Sequence, residues 1–197
     1  MPPLAPKIGF MRIVVLVSGS GSNLQAVLDA VAAGSLPVEI AAVGADRPDT
    51  FGIERAGAAG VETFVVNFKD FATRADWDAA LLDAVAAYKP DYVISSGFMR
   101  IVAPSFIDAF AGRYVNTHPA LLPAFPGAHG VRDAMAYGVK VTGCTVHYAD
   151  AGVDTGPIIA QTPVAILPED TEETLHERIK VAERELLIKV LADLAKA

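Results

Sequence analysis

A chain of 197 residues, 52% of them apolar and 20% charged, can fill one domain with a substantial core, and no stretch has the low hydrophobicity of a disordered segment. A net charge of −7 argues against a nucleic-acid backbone as the main partner, while one local pocket could still take a small anion. The single cysteine, Cys144, excludes an internal disulfide and a cysteine-based metal cluster, and no apolar run approaches the roughly 20 residues of a membrane span.

Residues 1–11 carry early prolines and no long apolar core, so they read as an N-terminal tail rather than a signal peptide, and the default location is cytoplasmic. The Val/Ile-rich run 12–17 suits a strand buried on both faces. Leu24, Val27, Leu28 and Val31 then follow at helical spacing, with Gly34 as the stop. Strands are expected at 38–43, 61–66, 92–96 and 113–118, and helices at 52–59, 74–88 and 104–110. This alternation predicts an α/β, doubly wound, mostly parallel sheet with right-handed crossovers. Beyond a proline-rich loop at 119–130 and a short helix at 131–137, strands at 144–148 and 157–166 predict an antiparallel C-terminal addition. Asp170, with Glu173 three residues on, reads as the capped start of a final helix carrying Leu175, Ile179, Ala182, Leu186 and Val190.

The loop SGSGSN lies between the first strand and the first helix. It lacks the Lys of a triphosphate loop, and Leu24 stands where a dinucleotide fingerprint has its third glycine. A single phosphate at the helix N-terminus is the third reading, with backbone N–H groups of Gly21, Ser22 and Asn23 aimed at the anion and the Ser and Asn side chains as added donors. The alternative is a plain strand–helix turn capped by Ser22 or Asn23.

Asn116 and His118 occupy alternate positions at the end of the fifth strand, so they share one face at the sheet edge where α/β proteins bind ligands. An amide donor beside an imidazole suits acyl transfer. Asp154 is the natural carboxylate partner and Asp150 its rival; either could instead bond its own loop. Cys144 falls on the inward alternation with Val146 and Tyr148 and reads as core. The four histidines show no metal-ligand spacing, and no metal is expected.

SGSGSNLQA, SGFMRIVAPSF, NTHPALLPAFPG and HYADAGVDTGPI, in this order and spacing, resemble the glycinamide ribonucleotide formyltransferase family of purine biosynthesis over nearly the whole chain from about Arg12. The resemblance implies a Rossmann-like formyltransferase fold in a single domain at 12–197, with a phosphate-binding half at about 12–110 and a catalytic and folate-side half at about 111–197. It implies transfer of a formyl group from 10-formyltetrahydrofolate, as co-substrate, to the glycine amine of the ribonucleotide. Gly21, Ser22 and Asn23 would hold the 5′-phosphate, and Glu183 would contact the substrate. Arg74, Met99, Arg100, Ile101, Val102 and Asn116 would hold the folate. Asn116, His118 and Asp154 match the catalytic trio, with His129 and His147 in support.

The expected partners are therefore small molecules, not nucleic acid or membrane, and a homodimer is the working expectation for assembly. A methionyl-tRNA formyltransferase would need a basic tRNA-binding surface, and a formyltetrahydrofolate hydrolase would have no use for a phosphate loop. A nicotinamide-dependent oxidoreductase could use the glycine loop, with Asp46 as a weak ribose-binding candidate. A non-catalytic nucleotide sensor would have no reason to place Asn116, His118 and Asp154 together.

Overall fold

The computed structural model describes residues 10–196; most of the expected N-terminal tail lies outside them. The seven-stranded sheet has the order β3-β2-β1-β4-β5-β6-β7. Its strands are β1 (Met11–Val17), β2 (Val38–Ala45), β3 (Thr63–Val65), β4 (Tyr92–Ser95), β5 (Tyr114–His118), β6 (Val141–Tyr148) and β7 (Ile158–Ala165). The first five pair in parallel, while β6 runs antiparallel to both β5 and β7. The doubly wound sheet and its antiparallel addition are thus as the sequence predicts.

The helices are α1 (Ser22–Ala32), α2 (Phe51–Ala58), α3 (Arg74–Ala86), α4 (Pro104–Ala109), α5 (Gly130–Tyr137) and α6 (Glu172–Leu194). Burial on both faces explains why β1 is apolar from Ile13 to Val17. Ile13, Val15 and Val17 face a core shared with α1, α2, α5 and α6, while Val14 and Leu16 face a second core with α3 and α4. The chain winds outward from β1 to β3 and then returns to the other side of β1 at β4. The crevice above the β1 and β4 ends is therefore the topological switch point, where such sheets bind ligands.

The second core has an aromatic ladder. Trp77 is fully buried, its indole N–H donates to the Val66 carbonyl at 2.8 Å, and its ring stacks on Phe98 with centroids 6.5 Å apart. Phe98 thereby anchors the segment that leaves β4 for the ligand edge.

One local expectation is overturned. Thr171, not Asp170, caps α6, in a reciprocal box with Thr174 rather than Glu173. Asp170 is one residue too early and is already committed. It accepts from the Arg178 guanidinium at 2.6 Å, the Leu167 N–H at 2.7 Å and the Thr174 hydroxyl at 3.0 Å. The Arg178 hydrogen bond is the main reason its carboxyl sits well below the usual carboxylate range. β6 also begins three residues earlier than the sequence pattern predicts, because Gly143 pairs tightly opposite Pro163 where no apolar alternation marks a strand.

Replacing Trp77 with Phe leaves the Val66 carbonyl without its indole donor. It is expected to cost about 1–3 kcal/mol, read from the urea unfolding midpoint.

Candidate active site

At the end of β1 the chain turns through Ser18, Gly19 and Ser20 into Gly21, which precedes α1 in the left-handed region at φ 66°. No side chain caps this helix, contrary to the simple-turn alternative. Among the described residues no protein acceptor is paired with the N–H groups of 19–24. Unpaired N–H groups at a helix start form an anion-binding concavity. Ser18 ties this loop to the β4 exit, for its N–H donates to the Gly97 carbonyl at 3.2 Å and its hydroxyl accepts from the Met99 N–H at 2.9 Å.

The loop forms one end of a cleft of about 420 Å³. Gly21, Ser22 and Asn23 line it, as do Asn116, His118, Asp154 and Glu183. Asn23 differs from expectation, since its amide donates to Glu183 Oε1 at 2.7 Å and its own oxygen is buried without a partner. Its side chain is thus oriented by Glu183, and the backbone carries the loop's anion-binding capacity. The Thr117 hydroxyl donates to the same Glu183 oxygen. Glu183, only 6% exposed, therefore joins α6 to both α1 and β5.

Arg47, His176 and Lys180 also line this cleft and were not singled out from the sequence. Arg47 and Lys180 place local positive charge in an acidic chain. Burial, then the charge of Lys180, pushes the His176 pKa down. His176, Lys180 and Glu183 lie at positions i, i+4 and i+7 of α6, so helical spacing was the signal available.

The reactive end lies where β5 meets β6. His118 is 4% exposed, with Nδ1 3.3 Å from Asp154 Oδ2 and Nε2 2.8 Å from the Phe125 carbonyl oxygen. Both neighbours are acceptors, so both ring nitrogens are satisfied only when each carries hydrogen. His147 stands opposite Asn116 in the sheet register. Its Nε2 is 3.3 Å from Asn116 Nδ2 and 3.6 Å from Asp154 Oδ1, and its Nδ1 is 3.0 Å from the Tyr148 carbonyl oxygen. Asp154 Oδ2 also accepts from the Gly127 N–H at 2.8 Å. The adjacent His147 imidazole leads the causes that hold the Asp154 carboxyl below its ordinary range. The Gly127 N–H and the charges of His118 and His147 add to it, against burial.

Asp154 and Phe125, both at φ 55°, are non-glycine residues in the left-handed region. Such strain gathers at functional sites. Asp150, the rival carboxylate, instead bonds its own loop through the Gly152 N–H at 3.0 Å and the Thr155 hydroxyl at 2.7 Å.

A second cleft, of about 230 Å³, is lined by Met99, Arg100, Ile101, Val102 and His147. It shares Phe98, Met99, Asn116 and Asp154 with the first. Met99 and Ile101 are 82% and 72% exposed, an apolar rim open to a flat ligand. Arg100 is turned away, pairing with buried Asp46 at 2.8 Å and lying 4.4 Å over the Phe68 ring. That pairing also occupies the residue a ribose-binding reading would need. Arg74 lines neither cleft. It bonds Asp78 at 2.9 Å and the Ile101 carbonyl, and so reaches the rim only through that backbone. His129 is not brought to the site; it is exposed at the start of α5, where the proline-rich loop ends. Cys144 is fully buried, and burial pushes its thiol up to about 12. It is not a nucleophile.

Residues 11–191 match the formyl transferase family model. A curated phosphoribosylglycinamide formyltransferase of Mycobacterium tuberculosis is 57% identical over 195 residues, covering 99% of this chain and 88% of the relative. Its Escherichia coli counterpart is 38% identical over 92% of this chain and 86% of the relative. The crystal structure of glycinamide ribonucleotide transformylase 1 from Symbiobacterium toebii superposes with a TM-score of 0.92 at 42% identity, over 100% of this chain and 93% of that one.

Asn tolerates the left-handed backbone as Asp does, so Asp154→Asn isolates the charge. Because folding lowers the Asp154 pKa, its ionised form contributes stability above the unfolded value of about 3.9, and this is lost as pH falls through the lower folded value. Asp154→Asn is expected to be less stable at neutral pH and to have a flatter stability profile in acid, measured by urea unfolding across a pH series.

Proposed function

Since the chain belongs to the phosphoribosylglycinamide formyltransferases of the formyl transferase family, we propose that it moves a formyl group from 10-formyltetrahydrofolate to the glycine amine of 5′-phosphoribosylglycinamide in purine biosynthesis. The observation that carries this reading is the pair of clefts that meet at Asn116 and Asp154. One has unpaired N–H groups and local cations at its far end, fitting a phosphate monoester. The other has an apolar rim, fitting a pteridine. Each substrate then brings its reacting group to the shared wall.

The amine nitrogen attacks the formyl carbon, and the carbonyl oxygen gains negative charge. The Asn116 amide donates to that oxygen, and doubly protonated His118 stabilises it by charge. As general acid, His118 Nε2–H exchanges the Phe125 carbonyl for the reacting group, a tightening expected when substrates bind. Asp154, ionised, keeps the imidazolium paired and orients it. The amine loses a proton, the bond from formyl carbon to folate nitrogen breaks, and that nitrogen gains a proton to leave as tetrahydrofolate. Holding two substrates against one wall supplies a large part of the rate.

On the substrate side, Glu183 presents its remaining carboxylate oxygen to the cleft, while the backbone of Gly21, Ser22 and Asn23 takes the phosphate. On the folate side, the backbone of 99–102 takes the pteridine edge, with Arg74 steadying Ile101. His147, between Asn116 and Asp154, supports the site. No described helix is long and apolar enough to cross a membrane, and a cytoplasmic location suits these substrates.

Absorbance-followed deformylation of 10-formyltetrahydrofolate is expected only when the ribonucleotide is present; turnover without it would identify a hydrolase. Asn116→Ala is expected to lower kcat by about 10²–10³ and His118→Ala by about 10²–10⁴, with both substrates still bound in equilibrium titrations. Turnover near wild type in either variant would remove these roles.

A further inference from the structure

We propose that Arg47 and Arg55 are positioning residues for phosphate recognition: with the start of α2 they hold three successive loop carbonyls so that the opposing N–H groups face the ligand. The proposal rests on the reading above that this loop takes a phosphate monoester.

The three carbonyls belong to Ser18, Gly19 and Ser20. The Ser18 oxygen accepts from the Arg47 guanidinium. The Gly19 oxygen accepts from the Gly52 N–H at 3.1 Å. The Ser20 oxygen accepts from Arg55 Nε at 2.8 Å, and the other arm of that guanidinium donates to Gln25 on α1 at 2.9 Å. All three donors come from the segment between the end of β2 and the middle of α2.

In a trans peptide the carbonyl and the N–H point in opposite directions. Holding the carbonyls of 18, 19 and 20 therefore turns the N–H groups of Gly19, Ser20 and Gly21 away from α2. Those residues line the first cleft, and none of their N–H groups has a protein acceptor. A glycine-rich loop left to itself would populate flipped peptides, with carbonyls pointing at the anion. Fixing the orientation before binding removes that ordering cost.

Backbone packing keeps α2 in place for this task. A Cβ on Gly21 would come within 2.8 Å of the Gly52 Cα, and one on Gly52 within 2.7 Å of the Val17 side chain. Bare backbone at both positions lets the helix start touch the loop. Arg47 also lines the cleft and can add charge to the ligand directly, whereas Arg55 does not line it. Arg55 thus separates positioning from contact.

The test compares Arg55→Met, which keeps the stem and loses the donors, with Arg55→Lys, which keeps one donor. In Arg55→Met the ribonucleotide KM is expected to rise about tenfold, while kcat and the folate KM stay within about twofold. The inhibition constant of inorganic phosphate against the ribonucleotide should rise in parallel, and Arg55→Lys should recover part of both losses. An unchanged ribonucleotide KM and phosphate constant would overturn the proposal. So would an equal rise in both KM values, which marks general loosening. If wild-type protein gives no turnover, the formyl-transfer reading fails; calorimetric titration of wild type and Arg55→Met with inorganic phosphate then decides the clamp, equal affinities overturning it and weaker binding by the variant supporting it.

Discussion

The site depends on one ionised carboxylate in a strained loop. Asp154 is reached by His118 from β5, His147 from β6 and the Gly127 N–H from the proline-rich loop. Three separate backbone segments are therefore registered on two oxygen atoms. Charge is what makes this possible, since a neutral acid could not serve so many donors at once. The left-handed backbone at Asp154 is the local cost, and the surrounding bonds offset it. Asn116 lies beside this cluster, its Nδ2 3.3 Å from His147 Nε2.

Glu183 does the corresponding job at the other end of the first cleft. A single oxygen accepts from Asn23 and Thr117, so the helix after the glycine-rich loop and the strand bearing His118 share one buried anchor. The two ends of the cleft are thereby rigidly spaced. This matters for the proposed reaction, in which a phosphate held at one end brings an amine to the other. The aromatic ladder from Trp77 to Phe98 fixes the third wall in the same way, by packing rather than charge.

The mostly parallel doubly wound sheet, its antiparallel addition and the placing of Asn116 and His118 were legible because β-strand alternation and strand–helix alternation are local patterns. So was the loop before α1, whose glycines announce an unusual backbone. What escaped notice depended on contacts between distant segments. Arg47 looks like a surface cation in sequence, yet it bonds a carbonyl on the neighbouring strand's loop. Thr117 sits between two residues that drew attention and reaches α6 instead. His129 belongs to a run that does approach the site, but the turn into α5 carries it outward. Asp170 has the composition of a cap, and only the fold reveals that Arg178 claims it.

The bond between Asn23 and Glu183 spans 160 residues. Its consequence is temporal. During synthesis the loop that begins α1 leaves the ribosome early, but its orienting partner follows only after roughly 10–30 s at ordinary elongation rates. Until α6 docks, Asn23 lacks the carboxylate that orients it, α1 lacks its packing partner, and Lys180 and His176 are missing from the cleft. Under the proposed function, a chain still lacking α6 has an incomplete ribonucleotide cleft. Substrate affinity becomes a property of the completed fold, and bound substrate favours the folded chain over partly made forms.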